Sequence, residues 1–270
     1  MLKTRIYTVL VLLPLLIAAL FYLPANAWAL VLAPLALVSA WEWGALAGWR
    51  PAGRLLYVCS ITAGGALLWY FGYGGAPGAY VVATASFGVA FLFWLVVAPL
   101  WLVKGWRIRS PLILAVTGAV LLLPPWLALI QLQGQPGVLL MLMAIVWISD
   151  TAAYFCGKRW GRHKLAETIS PGKTWEGVFG AMAGVAIYYV LLSAGGATGH
   201  GALQGIMGFG VFLLLTVLGI EGDLFESWIK RTANVKDSGT VFPGHGGVLD
   251  RIDALTASMP AAALLLNGMA

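Results

Sequence analysis

Charge is scarce in this chain. Of 270 residues only 10% are Asp, Glu, Lys or Arg, 61% are hydrophobic, and the mean hydropathy is +0.90. A soluble domain is roughly a quarter charged, and one core of this length could not hide so much apolar surface from water. Soluble globular and disordered classes are excluded. Cysteine is nearly lacking too. Cys59 and Cys156 fall within or at the end of apolar runs, which excludes a disulfide scaffold and reads as small buried hydrophobes. Apolar-polar alternation is also missing, so a membrane β-barrel does not fit. What remains is an all-α polytopic membrane protein.

A helix needs about 20 apolar residues to cross the hydrocarbon core. Nine spans are expected: 6–23, 27–47, 55–71, 79–103, 112–132, 138–156, 175–194, 205–220 and 252–269. Pro34, Pro124, Pro125 and Pro260 interrupt three of them, which membrane helices tolerate when neighbours satisfy the freed backbone groups. Connections after the odd-numbered spans up to the seventh carry no charge, and every Lys and Arg lies in the N-terminal tail, in the other connections or at their edges. The alternation predicts a cytoplasmic N-terminus and cytoplasmic charged loops. The excess of 16 Lys+Arg over 10 Asp+Glu then reads as positive-inside bias, not as a nucleic-acid footprint. Lys3 and Arg5 before an apolar run, with Ala25-Asn26-Ala27 after it, also fit a signal peptide. The run is long for one, so an uncut helix is expected. Trp41, Trp43, Trp49, Trp101, Trp106, Trp160 and Trp175 fall near charged ends and are expected in an interfacial belt.

Acidic side chains are absent from the first half except Glu42, to which no role is assigned; the other nine lie between Asp150 and Asp253. This divides the chain into N-terminal transmembrane helices (1–137) and a C-terminal catalytic region (138–270). Ionisable residues near membrane depth mark a functional site by default. If the eighth span continues as helix past Glu221, then Asp223, Ser227, Lys230 and Arg231 share a face. Glu226–Lys230 at i, i+4 reads as an ordinary helix pair. The glycine- and proline-rich stretch from Lys236 to Gly247 cannot be helix, and such a loop lets backbone N–H groups approach an anion. Asp250, Arg251 and Asp253 open the ninth span. Carboxylates there suit Mg²⁺ shared with phosphate oxygens. Farther upstream, Gly172-Lys173-Thr174 has the tail of a P-loop, but Glu167 stands where the first glycine is needed, so that reading fails. Ser170 is expected to cap, and Pro171 to open, the helix of the seventh span.

The residues from Ser227 to Asp253 resemble the signature of the phosphatidate cytidylyltransferases, also called CDP-diacylglycerol synthases. It is carried by Ser227, Lys230, Arg231, Lys236, Asp237, Gly239, Phe242, Pro243, Gly244, His245, Gly246, Gly247, Asp250, Arg251 and Asp253. The stretches Asp150–Tyr154 and Ser170–Gly177 are also similar, although Gly172 stands where many members have a second Lys. The first half resembles the family only as a string of membrane helices.

The resemblance implies an integral membrane nucleotidyltransferase that converts CTP and phosphatidic acid to CDP-diacylglycerol and pyrophosphate. It implies Asp223, Asp250, Lys230 and Arg231 as catalytic residues. Asp223, Asp250 and Asp253 would hold Mg²⁺, with a second cation such as K⁺. Ser227, Lys236, His245, Gly246, Gly247, Arg251, Ser170 and Lys173 would bind substrate. It further implies a homodimer, attraction to anionic lipids, a bacterial inner membrane and a site facing the cytoplasm. A transporter would instead place binding groups near the midplane of both halves. The aspartate-rich motif of the CDP-alcohol phosphotransferases is absent.

Overall fold

The computed structural model describes residues 2–75, 77–198, 203–241 and 246–267, and of residues 2–9 and 12 the backbone alone. The spans become α1 (Leu2–Tyr22), α2 (Ala25–Leu46), α3 (Pro51–Gly72), α4 (Ala79–Leu92), a π-turn (Phe93–Val97) continuing into α5 (Ala98–Lys104), α6 (Pro111–Leu132), α7 (Pro136–Trp160), α8 (Trp175–Ala194), α9 (Gly205–Thr232) and α10 (Leu249–Asn267). With α4, the π-turn and α5 taken as one rod, these are nine long helices among the described residues. Seven are long and apolar enough to cross a membrane by length and composition. The protein is an all-α, multi-pass membrane protein.

Pro34, Pro124, Pro125 and Pro260 all sit inside unbroken helices. At Pro260 the reason is visible. Proline has no N–H to give the carbonyl four residues back, and that carbonyl, Thr256 O, instead accepts the Trp94 indole N–H at 3.1 Å. Trp94 belongs to the π-turn and packs edge-to-face on Phe225 of α9, as do Phe93 and Trp101. The turn thus braces α9 and α10 together. α7 and α8 meet through small residues: a Cβ at Gly180 would lie 2.5 Å from Cys156 Sγ, and one at Gly184 would lie 2.8 Å from Ala152 Cβ. Such close approach drives helix association in lipid, where apolar burial does not.

Three expectations are corrected. Ser170 does not cap a helix and Pro171 does not open one. Ser170–Thr174 is a strand, β2, paired antiparallel with β1 (Lys164–Ala166). The cap of α8 is Thr174, whose Oγ1 accepts the Gly177 N–H at 3.1 Å. Trp43 and Trp101 are 1% and 2% exposed, core residues rather than belt, because their indole N–H groups find the Leu114 and Trp106 carbonyls. Cys59 is exposed on the apolar outer face of α3 rather than buried, where lipid in place of water leaves a thiol no reason to hide.

Candidate functional site

The site is built where the ends of α2, α7, α9 and α10 meet the β1–β2 hairpin. The helix of α9 runs through the acidic stretch to Thr232, so the expected stripe exists: Ser227 Oγ donates to Asp223 Oδ1 at 3.3 Å one turn away. α9 lies directly on the start of α10 at Gly222, where a Cβ would fall 2.5 Å from the Asp253 carbonyl oxygen. Only glycine admits that approach, which sets Asp223 beside Asp253. Asp253 is close enough to feel the charges of both Asp223 and Glu226.

Lys230 is the link between α9 and α10. Its ammonium lies 2.8 Å from Glu226 Oε2 and 2.5 Å from Asp250 Oδ1, with all three residues buried. The Glu226–Lys230 pair expected from the i, i+4 spacing is present, but it is buried and shared with Asp250. It is part of a desolvated triad in which loss of Lys230 would strand two buried carboxylates. Asp250 is further held by the N–H groups of Ser238 and Gly247 and by Ser238 Oγ, all on Oδ2. Gly246 beside it has φ +86°, and a Cβ there would sit 2.6 Å from that same Oδ2.

The two polar stretches of the sequence come together. Lys173 at the end of β2 reaches α9, 2.7 Å from Asp223 Oδ2. Arg231 donates to the Ile169 and Val235 carbonyls, tying the hairpin to the loop after α9. Asp150 of α7 lies within electrostatic range of Asp223, Lys173 and Arg251. The Ser170 side chain makes no hydrogen bond among the described residues. The Lys236 and Arg251 side chains are exposed there without hydrogen-bond partners. His245 lies outside the described residues, as do Phe242, Pro243 and Gly244.

Spacing alone missed three contributors. Asp150 and Glu226 belong to the carboxylate cluster. Glu42 of α2, 3% exposed, accepts from the N–H groups of Val248 and Leu249 and from Ser238 Oγ. The one available signal was its isolation: no other acidic residue precedes Asp150.

The cluster is unbalanced. Asp150, Asp223, Glu226, Asp250 and Asp253 face Lys173, Lys230 and Arg251. Among the described residues Glu226 Oε1 is buried without a hydrogen-bond partner. Such an excess of carboxylate near membrane depth fits a divalent cation in chemistry and charge. Among the described residues no three His, Cys, Asp or Glu side chains are grouped so as to hold a metal ion by themselves.

Fold and site together define a polytopic membrane protein whose charged end combines carboxylates, Lys and Arg suited to phosphate-bearing ligands. The model of the cytidylyltransferase family matches residues 3–269, so the chain belongs to that family. It is 37% identical to a phosphatidate cytidylyltransferase of Pseudomonas aeruginosa, with 98% of this chain and 97% of that one covered. A phosphatidate cytidylyltransferase of Haemophilus influenzae is 32% identical with 96% of each covered. One of Brucella suis is 47% identical over 47% of this chain and 44% of its own.

Proposed function

We infer that the chain is an integral membrane nucleotidyltransferase that makes CDP-diacylglycerol and pyrophosphate from CTP and phosphatidic acid in phospholipid biosynthesis. The observation that carries this is the joining of Lys173 and Asp223, from separate stretches of sequence, inside a carboxylate-rich cluster of a full-length family member. A phosphate oxygen of phosphatidic acid attacks the α-phosphorus of CTP. The bond from that phosphorus to the bridging oxygen breaks, and its electron pair leaves on pyrophosphate. The nucleophile is already an anion, so no strong general base is needed. The barrier is the approach of two polyanions, lowered by positioning and by charge held ready for the transition state.

Asp223 and Asp250 are the proposed holders of Mg²⁺ and of a second cation such as K⁺, with Asp253 in support. When bound, the metal neutralises phosphate charge and orients the leaving pyrophosphate. Lys236 and Arg251, exposed and without side-chain hydrogen-bond partners among the described residues, meet phosphates. Lys173 and Lys230 hold Asp223 and Asp250 in place and add positive charge between the two anions. Arg231 keeps the hairpin on α9. Ser227, Gly246 and Gly247 line the site, with Ser170 at its edge, and His245 is proposed to bind substrate with them.

The proposed setting is a bacterial inner membrane with the charged end in the cytoplasm, where CTP from water and phosphatidic acid from the leaflet both reach it. The basic rim draws anionic lipids. A homodimer is the proposed assembly. Purified protein in detergent, given phosphatidic acid, labelled CTP and Mg²⁺, should yield CDP-diacylglycerol and pyrophosphate in equal amounts, and Asp250→Asn should yield neither. Well-folded protein that forms no product with several acyl chains would refute the reading.

A further inference from the structure

We infer that Glu42 is a positioning residue for the reaction: a carboxylate from α2 that fixes the start of α10, where Asp250 lies, and Ser238 in the loop before it. This rests on the reading of that region as the active site. Glu42 accepts the Val248 N–H at 3.0 Å on Oε1 and the Leu249 N–H at 2.8 Å on Oε2. These are N–H groups at the start of α10, which the helix itself leaves unsatisfied. The carboxylate is buried and forms no ion pair among the described residues. Its charge is balanced by those amides, by the positive end of α10 and by Ser238. The Ser238 hydroxyl lies 3.0 Å from Glu42 Oε2 and 3.0 Å from Asp250 Oδ2. It has one proton, so it couples the two carboxylates while donating to one at a time.

The glycines of the loop point the same way, independently of the hydrogen bonds. A Cβ on Gly247 would fall 2.5 Å from both oxygens of Glu42, and a Cβ on Gly239 would run into Glu42 Oε1 and lie 2.8 Å from Cδ. Neither has the positive φ that would by itself call for glycine. At Gly239 the Glu42 carboxylate occupies the space a side chain would need, and at Gly247 it does so together with Ser238 Oγ, which a Cβ would meet first. The loop is thus complementary to a side chain far away in sequence, 196 residues from Ser238 and 207 from Leu249.

The test uses the full chain in detergent. Glu42→Gln keeps the shape but removes the charge and sets an NH₂ against backbone donors. Its kcat is expected to fall at least about 10-fold, since a shift of about 1 Å in catalytic groups can cost 10²-fold. The KM for phosphatidic acid should stay within about 2-fold. Glu42→Asp, which keeps the charge, should recover part of the loss, and Gly239→Ala should reproduce it from the other side of the contact. Amide exchange of residues 237–241 and 246–250 should quicken in Glu42→Gln, with peptides of α6 unchanged. Wild-type kcat and wild-type exchange in Glu42→Gln would overturn the inference, as would equal losses in Glu42→Gln and Glu42→Asp through a raised KM alone. A wild type without turnover would refute the assigned reaction, and the exchange result would then decide the role of Glu42 by itself.

Discussion

The two ends of the bundle solve the same problem with different chemistry. Helix termini leave unsatisfied carbonyl and N–H groups that must find partners. At the uncharged end, neutral side chains suffice. Gln133 donates to the Leu20 and Leu23 carbonyls at the end of α1. Gln131 donates to Gly72 O at the end of α3 and accepts from Asn267 of α10. Tyr80 closes on the Asn267 carbonyl. At the charged end, Glu42 does comparable work for α10, but Asp150, Asp223, Glu226 and Asp253 exceed anything capping requires. Amides show what the fold needs. The surplus of carboxylate is what the proposed chemistry would use.

Neutralising the surplus should break the comparison most sharply. Asp223→Asn removes a carboxylate that ties down Lys173 and is proposed to hold a cation. Turnover should fall by about 10²–10³-fold, the scale of losing one electrostatic stabiliser of a transition state, and excess Mg²⁺ should not restore it. Radiolabelled CTP incorporation measures this, and near-normal turnover at saturating Mg²⁺ would remove Asp223 from the site. Lys230→Met comes next and acts on stability as well. It leaves Glu226 and Asp250 buried and facing each other, at a cost of about 3–5 kcal/mol. Thermal unfolding in detergent should register it. A triple variant that combines Lys230→Met with Glu226→Gln and Asp250→Asn should recover much of the stability without activity.

Much of this contrast was legible in the sequence. Charge alternation and apolar run length located nine helices because, in a membrane, hydropathy and backbone satisfaction leave few alternatives. The Asp223–Ser227 stripe followed from helical period alone. Local rules failed where the deciding partner lay far away. Trp43 reads as interfacial until the Leu114 carbonyl on another helix is seen to take its N–H. Ser170-Pro171 has the composition of a helix start, but pairing with Lys164–Ala166 makes it a strand. Glu42 lies 196 residues from Ser238, so neither spacing nor period connects them. Glu226–Lys230 was legible as a pair, whereas its burial depended on Asp250.

The uncharged end supplies the converse experiment. Gln133→Leu keeps the volume but strands the Leu20 and Leu23 carbonyls in a buried place. A buried polar group without a partner costs about 1–3 kcal/mol. Thermal stability should therefore drop, while turnover per folded molecule at temperatures below unfolding stays at the wild-type value. A matching loss of turnover would mean that the two ends are mechanically coupled, so that fold and chemistry do not divide between them.

The smallest effect expected is at Lys236, whose side chain is exposed and without a hydrogen-bond partner among the described residues. Lys236→Gln should raise the KM for CTP by about 2–5-fold and leave kcat nearly unchanged, because an exposed cation attracts a polyanion without shaping its transition state. The sign of the salt effect separates this from a folding defect. Exposed charges are screened over about 8–10 Å at ordinary ionic strength, so the gap between wild type and Lys236→Gln should narrow as salt is added. A new cation at the uncharged end, Gln135→Lys, should leave the KM for CTP where it was. If both substitutions moved it equally, attraction by net charge alone would explain Lys236. If only Lys236→Gln does, the position of the charge in the loop that leads to Asp250 and Arg251 is what counts.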